Sequence, residues 1–238
     1  MNIGIDFDNT IVKYDNLFKK VAITEGFIKE SWNGNGKTVL RNYLRRQPDG
    51  ETTWMKLQGL VYGKHMQGAE MMQGVANFFL SCNVRGHKIY IVSHKTEHGH
   101  FDPEKIHLRK EALKWMEIRM FFDPEYFGLD MENVFFADTR EEKVNIISHL
   151  KCGWVIDDLP EVFEEKLFPS ETKKILFGSY KPELFHNTTI INSWSKIFEK
   201  IFGQKTNKDI TVWSKLVLDE PIKEIKKILG RGNSTVYK

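Results

Sequence analysis

Short apolar runs recur along the chain, each closed by polar or acidic positions and separated by stretches with helical spacing. Asn2 to Phe7 (NIGIDF) is the first, and its branched residues leading into an acidic turn predict a buried strand. The pattern then changes. Residues 13 to about 68 carry helical spacing at Leu17, Phe18, Val21 and Ala22, a break at Asn33-Gly34-Asn35-Gly36, and a second helical piece over Val39 to Arg46 that ends at Gln47-Pro48-Asp49-Gly50. This stretch reads as an inserted helical unit. After Gly68 the alternation resumes, with an amphipathic helix expected over Ala69 to Cys82, Gly86 as its stop, and a strand over Lys88 to Val92 (KIYIV). A helix over Pro103 to Met120, a strand over Val134 to Ala137 (VFFA), a helix over Arg140 to Leu150 and a strand over Trp154 to Ile156 follow. Lys174 to Phe177 and Thr189 to Ile191 extend the sheet, and Ser193 to Phe202 is expected as the last helix. Short apolar strands alternating with helices predict an α/β fold whose parallel sheet is covered on both faces.

Composition narrows this picture without redirecting it. The 238 residues are 41% hydrophobic, enough for one substantial core plus an appendage. Lys and Arg number 35 against 32 Asp and Glu, so the net charge of +3 gives no basis for a nucleic-acid platform, and no polymer of that kind is expected as partner. Cys82 and Cys152 lie far apart and lack metal-ligand spacing, which fits a reducing cytoplasm. The N-terminus shows no signal-peptide core, and no apolar run approaches the ~20 residues that span a bilayer, so neither export nor a membrane partner is expected.

In an open parallel sheet, ligands sit beyond the carboxyl ends of the strands. The residues there are Asp6, Asp8 and Thr10; Ser93, His94 and Lys95; Asp138; and Asp157 and Asp158. Several carboxylates facing one crevice repel one another unless a cation neutralises them, and hard oxygen donors point to Mg²⁺.

The ordered set Asp6-Phe7-Asp8-Asn9-Thr10, Ser93 after KIYIV, Lys143 early in a helix, and Asp157-Asp158 after WVI resembles the four motifs of the haloacid dehalogenase superfamily over residues 1 to about 200. The resemblance implies a Rossmann-like, doubly wound parallel sheet with a small helical cap insert, in which residues 1–205 form the hydrolase core and 13–68 the cap. It implies that Asp6 is the nucleophile that is transiently phosphorylated, and that Asp8 protonates the leaving oxygen and later deprotonates water. Ser93 and Lys143 would stabilise the phosphoryl oxygens, with Thr10, His94 and Lys95 as further substrate contacts. Asp6, Asp8 through its backbone carbonyl, and one or both of Asp157 and Asp158 would hold Mg²⁺. Arg140, Lys151 and Lys95 compete with Lys143 for its role. The implied activity is hydrolysis of a small phosphomonoester, a sugar phosphate or nucleotide; a phosphotransferase or phosphomutase, or a non-catalytic regulatory module, are the alternatives.

Three features stand outside the motifs. His94, His98, His100 and His107 read either as a transition-metal loop or as a polar rim of the site. Arg41, Arg45, Arg46, Lys56 and Lys64, interleaved with Tyr43, Trp54 and Tyr62, offer the insert a surface for an anionic or aromatic substrate portion. Residues 206–238 read as a linker leading to Gly230-Arg231-Gly232-Asn233-Ser234-Thr235-Val236-Tyr237-Lys238, which resembles the glycine-rich opening of a kinase-like, aminoglycoside-phosphotransferase-like domain fused in a longer protein.

Overall fold

A computed structural model of the chain describes residues 1–206 and 209, except 102, 103, 125, 182, 184 and 186. The glycine-rich segment from Gly230 to Lys238 therefore lies outside the described residues. The sheet is built from β1 (Asn2–Ile5), β4 (Lys88–His94), β5 (Val134–Ala137), β6 (Trp154–Asp157), β7 (Lys173–Phe177) and β8 (Thr188–Ile191), in the order β5-β4-β1-β6-β7-β8. All five pairings are parallel. The α/β, doubly wound architecture expected from the pattern is thus the observed one.

The strands read as apolar runs because both sheet faces are buried, and the period of two distributes their side chains. On one face lie Ile89, Ile91, Trp154, Ile156, Ile175 and Phe177; on the other, Tyr90, Val92, Val155 and Leu176. The first face is covered by α4 (Val75–Val84), α5 (Leu108–Ile118) and α8 (Trp194–Phe202), the second by α6 (Arg140–His149) and the single turn α7 (Pro160–Phe163). Trp115 of α5 and Trp194 of α8 are fully buried, and each gives its indole N–H to a carbonyl, Ala69 at 2.9 Å and Thr10 at 3.1 Å. With the polar atom satisfied, each indole contributes its full apolar area, and truncation to alanine is expected to cost about 3–5 kcal/mol.

The insert consists of α1 (Asp15–Thr24), α2 (Lys37–Leu44), α3 (Gly50–Tyr62) and a 3₁₀ turn over Met66–Gly68. It is closed at its base by a two-stranded antiparallel ribbon, β2 (Val12–Lys13) with β3 (Glu70–Met71). Its interior is aromatic, with Phe18 stacked on buried Trp54 at 5.2 Å and Tyr62 edge-on to Phe18 at 5.6 Å.

Two helix expectations need correction. The helix expected over 69–82 starts only at Val75, because Glu70 and Met71 pair with Lys13 and Val12 and the Met72 N–H goes to the Ile11 carbonyl at 2.8 Å. Gly74, at φ 91°, makes the turn into the helix. The helix expected from 103 begins at Leu108, where His107 is its extended N-cap.

Candidate active site

The sheet changes winding direction at β1, which has β4 on one side and β6 on the other, and loops diverge there to open a crevice. Register decides which side chains meet in it. Ile5 lies beside Ile91 and Ile156, so Asp6 and Asp157 leave the sheet at one level, and the Asp6 N–H still reaches the Ile156 carbonyl at 2.9 Å. Asn9, in the left-handed region at φ 60°, turns the chain after Asp8 and donates its side-chain amide to Asp158 Oδ2 at 3.2 Å.

Lys143 arrives from the other side of the sheet. Helix α6 starts after Thr139, whose hydroxyl accepts the Glu142 N–H at 3.1 Å, while the Glu142 carboxylate takes the Asp138 N–H at 2.8 Å. This start puts Lys143 in the first turn. Its ammonium, fully buried, lies 2.6 Å from both Asp6 Oδ1 and Asp157 Oδ2. Burial alone would lower its pKa, but Asp157 and Asp6 hold it above the ordinary lysine range. Arg140, a competitor for this place, instead approaches Glu165 at 3.5 Å.

Asp6, Asp157 and Asp158 present carboxylate oxygens that all lie within 4.8 Å of one another. Burial first, then Asp157, Asp158 and Asp8, push Asp6 well above the usual carboxylate value despite Lys143. Asp158 is pushed up to about 7 by burial and then by Asp157. One lysine does not balance three acids in a dry crevice, and the donors are all hard oxygens, so the set fits a small divalent cation such as Mg²⁺. The histidine loop forms no comparable group among the described residues. His98 and His107 each approach Glu97, at 3.5 and 3.3 Å, and the loop is closed on itself by a bridge between them.

Asp8 occupies a second environment. Lys95 Nζ lies 2.7 Å from its Oδ2, and the Tyr14 hydroxyl donates to its Oδ1. Lys95 also sits over the Tyr62 ring at 4.8 Å. The strand period explains the choice: Ser93 and Lys95 share the buried side, whereas His94 faces outward, is exposed, and places Nε2 3.0 Å from the Asp138 carbonyl oxygen. Asp138 is exposed and paired with Arg109. Ser93 Oγ and Thr10 Oγ1 are buried and have no hydrogen-bond partner among the described residues, an arrangement that costs stability unless a ligand answers it.

Three contributors were not singled out for these roles in the sequence: Asn9, Tyr14 and the Tyr62 ring beneath Lys95. Only Asn9 carried a local signal, as a residue tolerant of left-handed backbone beside two acids.

No family model matches the chain, and no curated protein matches it. Solved structures do. A HAD hydrolase of family IA, variant 3, from Entamoeba histolytica aligns with a TM-score of 0.50 at 10% identity, covering 95% of this chain and 99% of that one. A HAD-superfamily hydrolase from Ehrlichia chaffeensis aligns at 0.47 and 12% identity over 84% and 95%. A phosphoserine phosphohydrolase-like protein from Francisella tularensis aligns at 0.45 and 13% identity over 84% and 99%. With the strand order above, the first of these shows that the chain has the haloacid dehalogenase fold, a Rossmann-like sheet with a helical insert after the first strand.

Proposed function

We propose that the chain is a magnesium-dependent phosphohydrolase that acts on a small phosphomonoester through phosphorylated Asp6. The observation that carries this reading is the convergence of Asp6, Asp157, Asp158 and Lys143 at the end of β1, with Asp8 two residues from the nucleophile in a separate polar setting.

The Asp6 and Asp157/Asp158 carboxylates, with the Asp8 backbone carbonyl, are the residues that would hold Mg²⁺, which supplies positive charge for a phosphate amid acids. Lys143 holds Asp6 Oδ1, leaving Oδ2 to attack phosphorus. As the Asp6–phosphorus bond forms, the bond to the leaving oxygen breaks, and Asp8, which takes up a proton when the ester displaces Lys95 from it, gives that proton to the leaving oxygen. Asp8 then takes a proton from water, the resulting hydroxide attacks phosphorus, and the Asp6–phosphorus bond breaks to release inorganic phosphate. Ser93 Oγ, buried and without a partner among the described residues, donates to a phosphoryl oxygen, and Lys143 offsets the charge that develops. Thr10 Oγ1 has the same unsatisfied character. Both Asp8 oxygens are engaged by Lys95 and Tyr14, so one partner must yield to the leaving oxygen. Lys95, once released, faces the incoming phosphate.

The test is phosphate release over sugar phosphates, nucleotides and an aryl phosphate, with Mg²⁺ and with EDTA, on wild type and Asp6→Asn. Turnover that needs Mg²⁺ and Asp6 is expected. Activity in EDTA, or a folded Asp6→Asn protein that turns over normally, would sink the reading.

A further inference from the structure

Lys37 is the first residue of α2, placed there by Gly36 at φ 82° and by its own backbone N–H, which donates to Asp15 Oδ1 at 3.0 Å. Its ammonium points inward, not to solvent. It donates to the Tyr62 hydroxyl at 2.8 Å and lies over the rings of Phe18 and Tyr62 at 5.3 and 5.5 Å. No carboxylate among the described residues comes within 4.0 Å of it, in contrast to Lys95 and Lys143, each paired with an acid. Its immediate neighbours are a phenol and two ring faces, so among the described residues no carboxylate oxygen occupies its N–H groups. Burial pushes its pKa down, yet Tyr62, Asp8 and Asp158 hold it above the ordinary lysine value, so its charge is felt at the catalytic carboxylates.

Its position along the reaction axis follows from Asp8. The group that protonates the leaving oxygen marks the leaving-group end, and Lys95, on Asp8, lies over the Tyr62 ring that Lys37 also covers. Lys37 is therefore one aromatic ring from Asp8, on the insert's side. Of the basic residues expected to serve there, Arg45 pairs with Glu51 and Lys64 with Glu104, while Trp54, from the same expectation, is packed in the insert's interior. Tyr14, Phe18 and Tyr62, the aromatic residues around it, contribute no acid.

We propose that Lys37, braced by Tyr62, binds an anionic group on the leaving portion of the substrate, a second phosphate or a carboxylate. The chain then selects doubly anionic phosphoesters over neutral ones; this rests on the hydrolase reading above. Lys37 acts on specificity, not on the reacting bonds.

The test uses the full chain with Mg²⁺ and three substrates of equal length: propane-1,3-diyl bisphosphate, 3-phosphooxypropionate and propyl phosphate. Wild type is expected to favour at least one anion-terminated ester over propyl phosphate by about tenfold or more in kcat/KM, and the two anionic arms tell phosphate from carboxylate. In Lys37→Met that ratio should fall towards one, mainly through KM, while Lys37→Arg keeps most of it. A purely structural role would lower all three substrates together and leave the ratio intact. A wild-type ratio near one overturns the proposal without any variant being needed, as does an unchanged ratio in folded Lys37→Met. Should wild type hydrolyse none of them, calorimetric titration decides on Lys37, and the hydrolase reading is judged by its own screen. With the bisphosphate and Mg²⁺, Asp6→Asn should then bind more tightly than Asp6→Asn/Lys37→Met, and equal affinity overturns the assignment of Lys37.

Discussion

The end of the sheet and the underside of the insert solve the same electrostatic problem in different ways. At the sheet end, buried charges answer one another directly, with Lys143 2.6 Å from Asp6 and Asp157. Under the insert, Lys95 answers Asp8, but Lys37 is left to a phenol and two rings. The first arrangement is set by strand register and one helix start, and it leaves an excess of acid over base that a cation would complete. The second comes from helices packed through aromatic side chains, and it keeps a charge in reserve. A chemical centre suits the former and a discriminating surface the latter, because discrimination needs a group whose partner arrives with the substrate.

The comparison is broken most severely at Asp6. Asp6→Asn should bring turnover below about 10⁻³ of wild type, as expected for loss of a nucleophile. Its melting midpoint without metal should not fall, because a carboxylate held well above its usual pKa by burial is replaced by a neutral group. Residual activity near wild type, or a collapsed fold, would count against the account of this residue.

Next comes the pair of lysines. Lys143→Met strands two buried acids and should cost about 3–5 kcal/mol of unfolding free energy in EDTA, read from denaturant titration. Lys37→Met, which strands none, should cost about 1 kcal/mol or less. Equal losses would remove the distinction between the two regions.

Asp8→Asn separates proton transfer from nucleophilic attack. Loss on an alkyl or sugar phosphate should exceed loss on an aryl phosphate by a factor of roughly 10², since only the poor leaving group needs its oxygen protonated. With the aryl ester, phosphorylated Asp6 should become trappable by mass spectrometry. Equal losses and no adduct would move the acid role away from Asp8.

The smallest expected effect is on pH-dependent stability. Asp158 has a folded pKa of about 7, above the ordinary carboxylate value of about 4, so the folded state keeps a proton that the unfolded chain has released in between. That contribution is fully present below about pH 4 and is lost as pH rises through 7. In EDTA the melting midpoint should therefore drop between pH 5 and pH 8, and Mg²⁺ at pH 8 should restore it. A flat profile in EDTA would show that Asp158 is not held protonated.

The strands were legible because helices pack on both faces of the sheet, which leaves an unbroken apolar run such as KIYIV in the interior and VFFA at the partly buried edge. Helix α3 was not expected: Gly50 and Gly59 interrupt its pattern, and Trp54 meets its partner Phe18 of α1 only in the folded chain. The ribbon of β2 with β3 left no trace in either segment, since its two halves are more than fifty residues apart and neither has a strand's length.

What the sequence determined by itself is the sheet's alternation and the acids at its strand ends. Burial on both faces and a cluster of acids at the carboxyl end both write themselves into local composition. What only the tertiary structure decided is the assignment of partners to cations: Lys143 to Asp6 and Asp157, Lys95 to Asp8, and Lys37 to a phenol and two rings, with no acid within 4.0 Å among the described residues. A lysine's partner is chosen by strand register, by the face onto which a period of two turns it, and by where a helix begins, none of which its neighbours in sequence reveal.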